Sequence, residues 1–170
     1  MSSLIKIDEE VLTGAVSAVV LSGMSSDYDV YMVTIVRLEV ETNEKDIKMR
    51  FTEGGTVNET ANYETVATQL NSNQAFNDSR HNGETSIDLS LNIGNDTGEQ
   101  FNSTQYIFNS QTASEYTFCT IENAMMSAAG ELRGKQASGI FQVASVVDGV
   151  RYSSNSNMDN GIFTLYGLKS

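Results

Sequence analysis

Proline and tryptophan are missing from this 170-residue chain, and cysteine and histidine occur once each. Without proline or any low-complexity stretch, nothing marks a linker, and one compact domain over residues 1–170 is expected. A lone Cys119 cannot close an internal disulfide, which argues against a secreted disulfide scaffold and fits synthesis in a reducing compartment. One histidine and one cysteine would leave a zinc site to carboxylates, which zinc rarely uses alone. No metal and no cofactor is therefore expected. The missing tryptophan removes the usual flat stacking platform of a sugar cleft.

Positive charge is scarce as well. Ten Lys and Arg face 22 Asp and Glu, for a formal net charge of −12. Such a surface repels phosphate and anionic lipid, so neither nucleic acid nor membrane is an expected partner. Residues 1–8, Met-Ser-Ser-Leu-Ile-Lys-Ile-Asp, carry no basic region followed by a long apolar core, so no signal peptide is read there. The longest apolar stretch, residues 15–21, is too short to span a bilayer.

What recurs is period two. Over residues 28–40 one face collects Tyr28, Val30, Met32, Val36, Leu38 and Val40, while Tyr31, Val33 and Ile35 lie on the other. The middle is apolar on both faces, as a long central strand would be. Residues 46–52 and 86–92 alternate cleanly, which places Ile47, Met49, Phe51, Ile87, Leu89 and Leu91 inward, with Phe163 and Leu165 near the C-terminus. Further strands are expected over 4–7, 16–21, 105–109, 116–121, 140–147, 150–153 and 162–168. Gly54-Gly55, Asn82-Gly83, Asp148-Gly149 and Asn160-Gly161 punctuate them as turns, and Asp148-Gly149 is the strongest hairpin signal. Helix is confined to two weak candidates, 63–70 and 122–129, the second with a strand-like start. Residues 71–84, 94–104 and 153–160 read as long loops. About ten short strands of this kind point to an antiparallel β-sandwich or barrel, and the β-sandwich is the fold expected.

No constellation carries catalytic chemistry. His81 sits in Asp78-Ser79-Arg80-His81, but a triad needs its members to converge from different elements beside an oxyanion hole. Asp96-Thr97-Gly98 has no second copy to share a proton, and with Asn95 and Glu99 it reads as a turn. Calcium on Asp96 and Glu99 would lack the EF-hand spacing. Gly54-Gly55 is followed by Thr56 and Val57 rather than a lysine-bearing helix start, so no phosphate loop is present. Asn58, Asn77, Asn95 and Asn102 each open an Asn-x-Ser/Thr sequence, unmodified in a reducing compartment. Cys119 reads as a small core residue.

The C-terminal quarter carries a resemblance. Val147, Val150, Arg151 and Tyr152, a Ser/Asn-rich segment, and then Gly161, Phe163, Leu165, Tyr166, Gly167 and Leu168 form an ending of the kind Gly-x-Phe-x-Leu-Tyr-Gly. More weakly, Leu4-Ile5, Val19, Leu21, Gly23 and Tyr28 to Tyr31 fit the opening of the same group. This resembles small virion structural proteins of tailed bacteriophages. The resemblance implies a jelly-roll sandwich without catalytic residues, and a decoration or cement protein on the outer surface of the head. Its expected partners are the major capsid protein or other virion subunits, with homo-oligomers, in a virion made in the host cytoplasm. The alternatives are a tail- or fibre-associated receptor-binding module and a carbohydrate-binding sandwich. In any jelly roll the first and last strands are expected to pair.

Overall fold

A computed structural model of the chain describes residues 3–73, 76–90 and 92–169. It is all-β, an antiparallel sandwich of jelly-roll type with no helix among the described residues. The strands are β1 (Ser3–Leu12), β2 (Val16–Ser22), β3 (Val30–Val40), β4 (Ile47–Glu53), β5 (Thr56–Val57), β6 (Tyr63–Asn71), β7 (Asn77–Glu84), β8 (Ile87–Asp88), β9 (Phe101–Phe108), β10 (Thr117–Met126), β11 (Leu132–Phe141) and β12 (Gly149–Lys169).

β12 organises the fold. It is 21 residues long and is paired along both edges. Its first part lies between β2 and β4, with Val150 opposite Leu21 and Phe51. Its second part lies between β1 and β3, with Phe163 opposite Glu10 and Ile35. The expected closure of the ends is therefore present, with Leu4 opposite Leu168 and Ile5 opposite Gly167. From β3 the sheet continues through β9, β10, β11 and β6 to β7 and curls until β4 and β8 face β10 and β11 across the core. Phe51, Tyr63 and Phe141 join the layers, with ring centroids 4.9 to 6.3 Å apart. The Tyr63 hydroxyl accepts from the Phe51 amide and donates to the Asn58 carbonyl, so its burial leaves no polar atom wanting. Tyr152 likewise donates to the Gln105 side chain, which donates in turn to Ser103.

Inward placement follows the alternation. Ile47, Met49, Phe51, Ile87, Leu89, Phe163 and Leu165 are all fully buried, while Leu91 lies outside the described residues. Several boundaries differ from the sequence reading. Both helix candidates are strand: Tyr63, Thr65 and Ala67 alternate inward in β6, and residues 122–126 extend β10. The expected loop at 71–84 holds β7, that at 153–160 is part of β12, and β9 begins inside 94–104. The strand read at 86–92 narrows to β8, and the one at 140–147 ends at Phe141.

Asp148-Gly149 makes no hairpin. The Asp148 carboxylate accepts from Thr52 Oγ1 and the Gly55 amide, both at 2.6 Å, and its backbone bridges Thr52 and Met24. A Cβ on Gly149 would lie 2.6 Å from the Leu21 carbonyl. The pair seats the start of β12 between two strands instead of reversing the chain.

The faces of β3 also change partway. Arg37 takes a positive φ of 55°, and the register shifts there against both neighbours, so Tyr31, Val33 and Ile35 point inward before the bulge and Leu38 and Val40 after it. An unbroken period-two count over 28–40 misassigns half the strand.

Candidate functional site

The broadest structured surface is the outer face of β1, β12, β3, β9, β10, β11, β6 and β7. Its inner neighbours Tyr31, Ile107 and Cys119 are buried, so the residues between them point outward. Strand register lines these up in rows. One row runs Leu4, Leu168, Val30, Phe108, Phe118 and Ile140, one residue from each of six adjacent strands, and ends at Glu64 on β6. At the usual strand spacing this is an uncharged apolar stripe roughly 24 Å long. Leu4 and Phe118 are 48% and 44% exposed, and the four residues between and beside them are half-buried.

The next row begins at Lys6 and runs through Tyr166, Met32 and Tyr106 to Thr120, Ser138, Val66 and Arg80. A third passes Thr34, Thr104, Glu122, Gln136 and Thr68 to Asp78. Polarity therefore rises in steps away from the apolar stripe. At the β6–β7 end the second and third rows line a shallow trough of about 880 Å³, with Asp78 and Arg80 at its rim. Asp78 accepts from Thr68 Oγ1 at 2.9 Å. The Tyr106 and Thr120 hydroxyls, the Gln136 amide and the Glu122 carboxylate make no side-chain hydrogen bond among the described residues.

The other sequence candidates fall elsewhere. Asp78 and Arg80 are exposed on the outer face, whereas Ser79 and His81 register with buried Ala67 and Thr65 on the inner side. Alternation thus puts Asp78 on the opposite face from Ser79 and His81, which a triad would bring together with it. Asp96 and Glu99 close a turn, in which Glu99 accepts from the Asp96 amide and its carboxylate sits over Gly94, where a Cβ would be 1.9 Å away. Among the described residues no group of three or more His, Cys, Asp or Glu gathers as a metal site. Gly54 and Gly55 turn the chain between β4 and β5 with φ of 57° and 74°. Asn58 caps the following turn through the Thr60 amide, and Asn102 accepts from the Arg37 amide at the bulge. Asn95 donates to the Glu41 carbonyl, and Asn77 opens β7. Burial pushes the Cys119 thiol up to about 12, which makes it inert as a nucleophile.

The motif behind the resemblance is divided between packing and the outer face, where Tyr166 and Leu168 lie. Phe163 and Leu165 are core, Gly161 bulges at φ 145° against Leu38, and Gly167 lies flat against the Tyr28 ring. No protein-family model matches the chain, and no curated protein matches it either. The apolar stripe escaped the sequence reading because its members come from six strands. The signal that was available is the doubly apolar stretch Val30 to Val33.

Proposed function

We propose that the chain is a non-enzymatic structural subunit of a tailed-phage virion, a decoration or cement protein on the outer surface of the head. The observation that carries this reading is the apolar stripe on the outer sheet face. An uncharged apolar row across six strands, with Leu4 and Phe118 exposed, is the surface on this domain best suited to contact with another subunit. A cement protein acts by covering surface on neighbouring subunits, with the major capsid protein or other virion proteins as partners. The acidic remainder of the surface suits permanent exposure to solvent at high local copy number. The Gly-x-Phe-x-Leu-Tyr-Gly ending adds the resemblance to virion proteins.

Quantitative mass spectrometry of purified particles tests this. A head decoration protein is recovered at a copy number that matches the capsid lattice. Absence from washed particles overturns the reading. A second reading, a tail- or fibre-associated module that contacts a host glycan, is favoured by the trough, which Tyr106, Glu122, Gln136, Asp78 and Arg80 line together. It predicts a copy number set by the tail symmetry and binding to host surface glycans.

A further inference from the structure

We propose that a cleft at one end of the sandwich, on the inner side of β10, β11 and β6, binds a sugar acid, with the Lys135 ammonium as partner of its carboxylate. This goes beyond the structural role, and it is read on the purified chain whatever place that chain takes in a particle.

The inner face of the sheet changes character along its strands. Where Cys119, Ile121 and Phe141 lie it is apolar and buried. Two residues past Ile121, strand register sets Asn123, Lys135, Gln69 and Asn77 side by side, one from each of β10, β11, β6 and β7. The next row on the same side sets Met125, Arg133 and Asn71 together. Leu89, Ser90 and Asn92 complete the wall of a cleft of about 240 Å³. Asn123 Nδ2 ties the two walls by donating to the Leu89 carbonyl at 2.6 Å.

Lys135 is only 6% exposed, and its Nζ donates to the Asp88 carbonyl. The Asp88 carboxylate lies instead 3.8 Å from Lys48, so Lys135 makes no ion pair among the described residues. A buried ammonium with N–H donors to spare is costly until an anion or further acceptors complete it. Arg133 differs. Its Nε and Nη2 donate to Glu131 at 3.2 and 2.7 Å, which balances its charge and leaves Nη1 free of hydrogen bonds among the described residues. The cleft therefore holds one unbalanced positive charge, on a chain whose net charge is −12. A monoanion such as a carboxylate balances it. A phosphate dianion would set a second negative charge near Glu131.

The rest of the wall suits hydroxyl groups. The side-chain amides of Gln69, Asn77 and Asn92 make no hydrogen bond among the described residues, and each offers donors and an acceptor together, as ring hydroxyls do. Leu89 and Met125 add apolar surface for the C–H face of a ring. The volume falls below the roughly 300–1,000 Å³ of a drug-sized pocket, which fits a single sugar ring.

Titration of the isotope-labelled full chain with sodium glucuronate, followed by amide NMR, tests the site. Saturable shifts are expected at Lys135 and at the side-chain amides of Gln69, Asn77 and Asn123, with a Kd on the order of 1 mM for so small a ligand. Glucose keeps the ring without the carboxylate, and acetate keeps the carboxylate without the ring. Each should bind at least about tenfold more weakly, and inorganic phosphate likewise. Lys135→Met should weaken glucuronate binding at least about tenfold, as loss of a charge-assisted hydrogen bond does, and Arg133→Gln should weaken it too. Arg80→Gln, at the rim of the outer trough, should leave it unchanged. Near-UV circular dichroism checks that the variants keep the native fold, and the four ligands on the wild-type chain decide the matter even where a variant fails to fold. No saturable shift in the wild type, glucose, acetate or phosphate binding as tightly as glucuronate, or equal effects of Lys135→Met and Arg80→Gln would each overturn the proposal.

Discussion

Adding one methyl group at Gly167 tests how the closing strand is seated. A Cβ there would stand 2.5 to 2.6 Å from Cγ, Cδ1 and Cδ2 of Tyr28. Ordinary contact needs about 3.5 Å, so the ring must retreat by roughly 1 Å. Tyr28 also packs edge-on against Tyr31 at 5.9 Å, and Tyr31 is pinned by hydrogen bonds to the Ser25 backbone. One side of the retreat is therefore blocked. Overpacking of this kind costs about 1–3 kcal/mol, while replacing glycine by alanine returns about 0.4–1 kcal/mol through the unfolded chain. Gly167→Ala should then destabilise by roughly 1–2 kcal/mol. In a Tyr28→Ala background the obstruction is gone, and the same change should become neutral or stabilising by up to about 1 kcal/mol. Urea unfolding of the four proteins gives the cycle, with a coupling of about 2 kcal/mol expected. An equal effect of Gly167→Ala in both backgrounds would show that the ring is not what excludes a side chain.

Three further outcomes follow from burial and charge. Cys119 is 2% exposed with its thiol raised to about 12, so thiol reagents should label it at neutral pH only through opening of the fold, and the rate should rise with urea; rapid labelling in native buffer would contradict its inward placement. Burial lowers the Lys135 ammonium below its ordinary 10.5, although Nζ donates to the Asp88 carbonyl and Asp88 opposes the shift. The unfolded chain then binds the extra proton, so stability should rise as pH climbs through the lowered folded value towards 10.5, and Lys135→Met should abolish that alkaline rise. Glu9, hydrogen-bonded by Lys6 and Thr164, and Glu131, held by Arg133 and Asn73, both have carboxyls lowered from the usual value. Their stabilisation is present above the unfolded pKa and is lost as pH falls through the lower folded one; Glu131→Gln should flatten the acid limb of a stability–pH curve, and an unchanged limb would refute the assignment.

Strands with one wet face were legible because a half-buried strand alternates. Ile47, Met49 and Phe51 could be placed inward with no knowledge of their partners. β7 was not legible because Asn77 to Glu84 contains no apolar residue; an edge strand whose inner side is only half-covered needs none, and backbone pairing to β6 suffices. Residues 153–160 of β12 read as a loop for a related reason. Serine and asparagine signal turns when their backbone is free, yet here Ser153, Ser154, Met158 and Asn160 are paired to β2, β3 or β4, and the bend of the long strand is absorbed by register shifts between Ser153 and Ile162. The parity change at Arg37 depends on one left-handed residue that no hydrophobic pattern announces.

The candidate surface was half-legible, and the misread half is the informative one. Alternation in residues 30–33 points to a strand buried on both faces, and β3 does lie in the middle of the sheet with Tyr31 and Val33 fully buried beneath it. Within one chain, however, Val30 and Met32 stay half-open on the outer side. An isolated soluble domain gains nothing by aligning Val30 with Leu168, Phe108, Phe118 and Ile140 across the width of an open sheet, because exposed apolar surface invites non-specific association. A folding constraint does not account for it either, since the inner face alone supplies the core. The pattern fits a chain whose second apolar face is covered by another subunit. Under the proposed virion-subunit function, the outer side of β3 packs against another subunit, and the single domain holds only half of the packing for which the strand is suited.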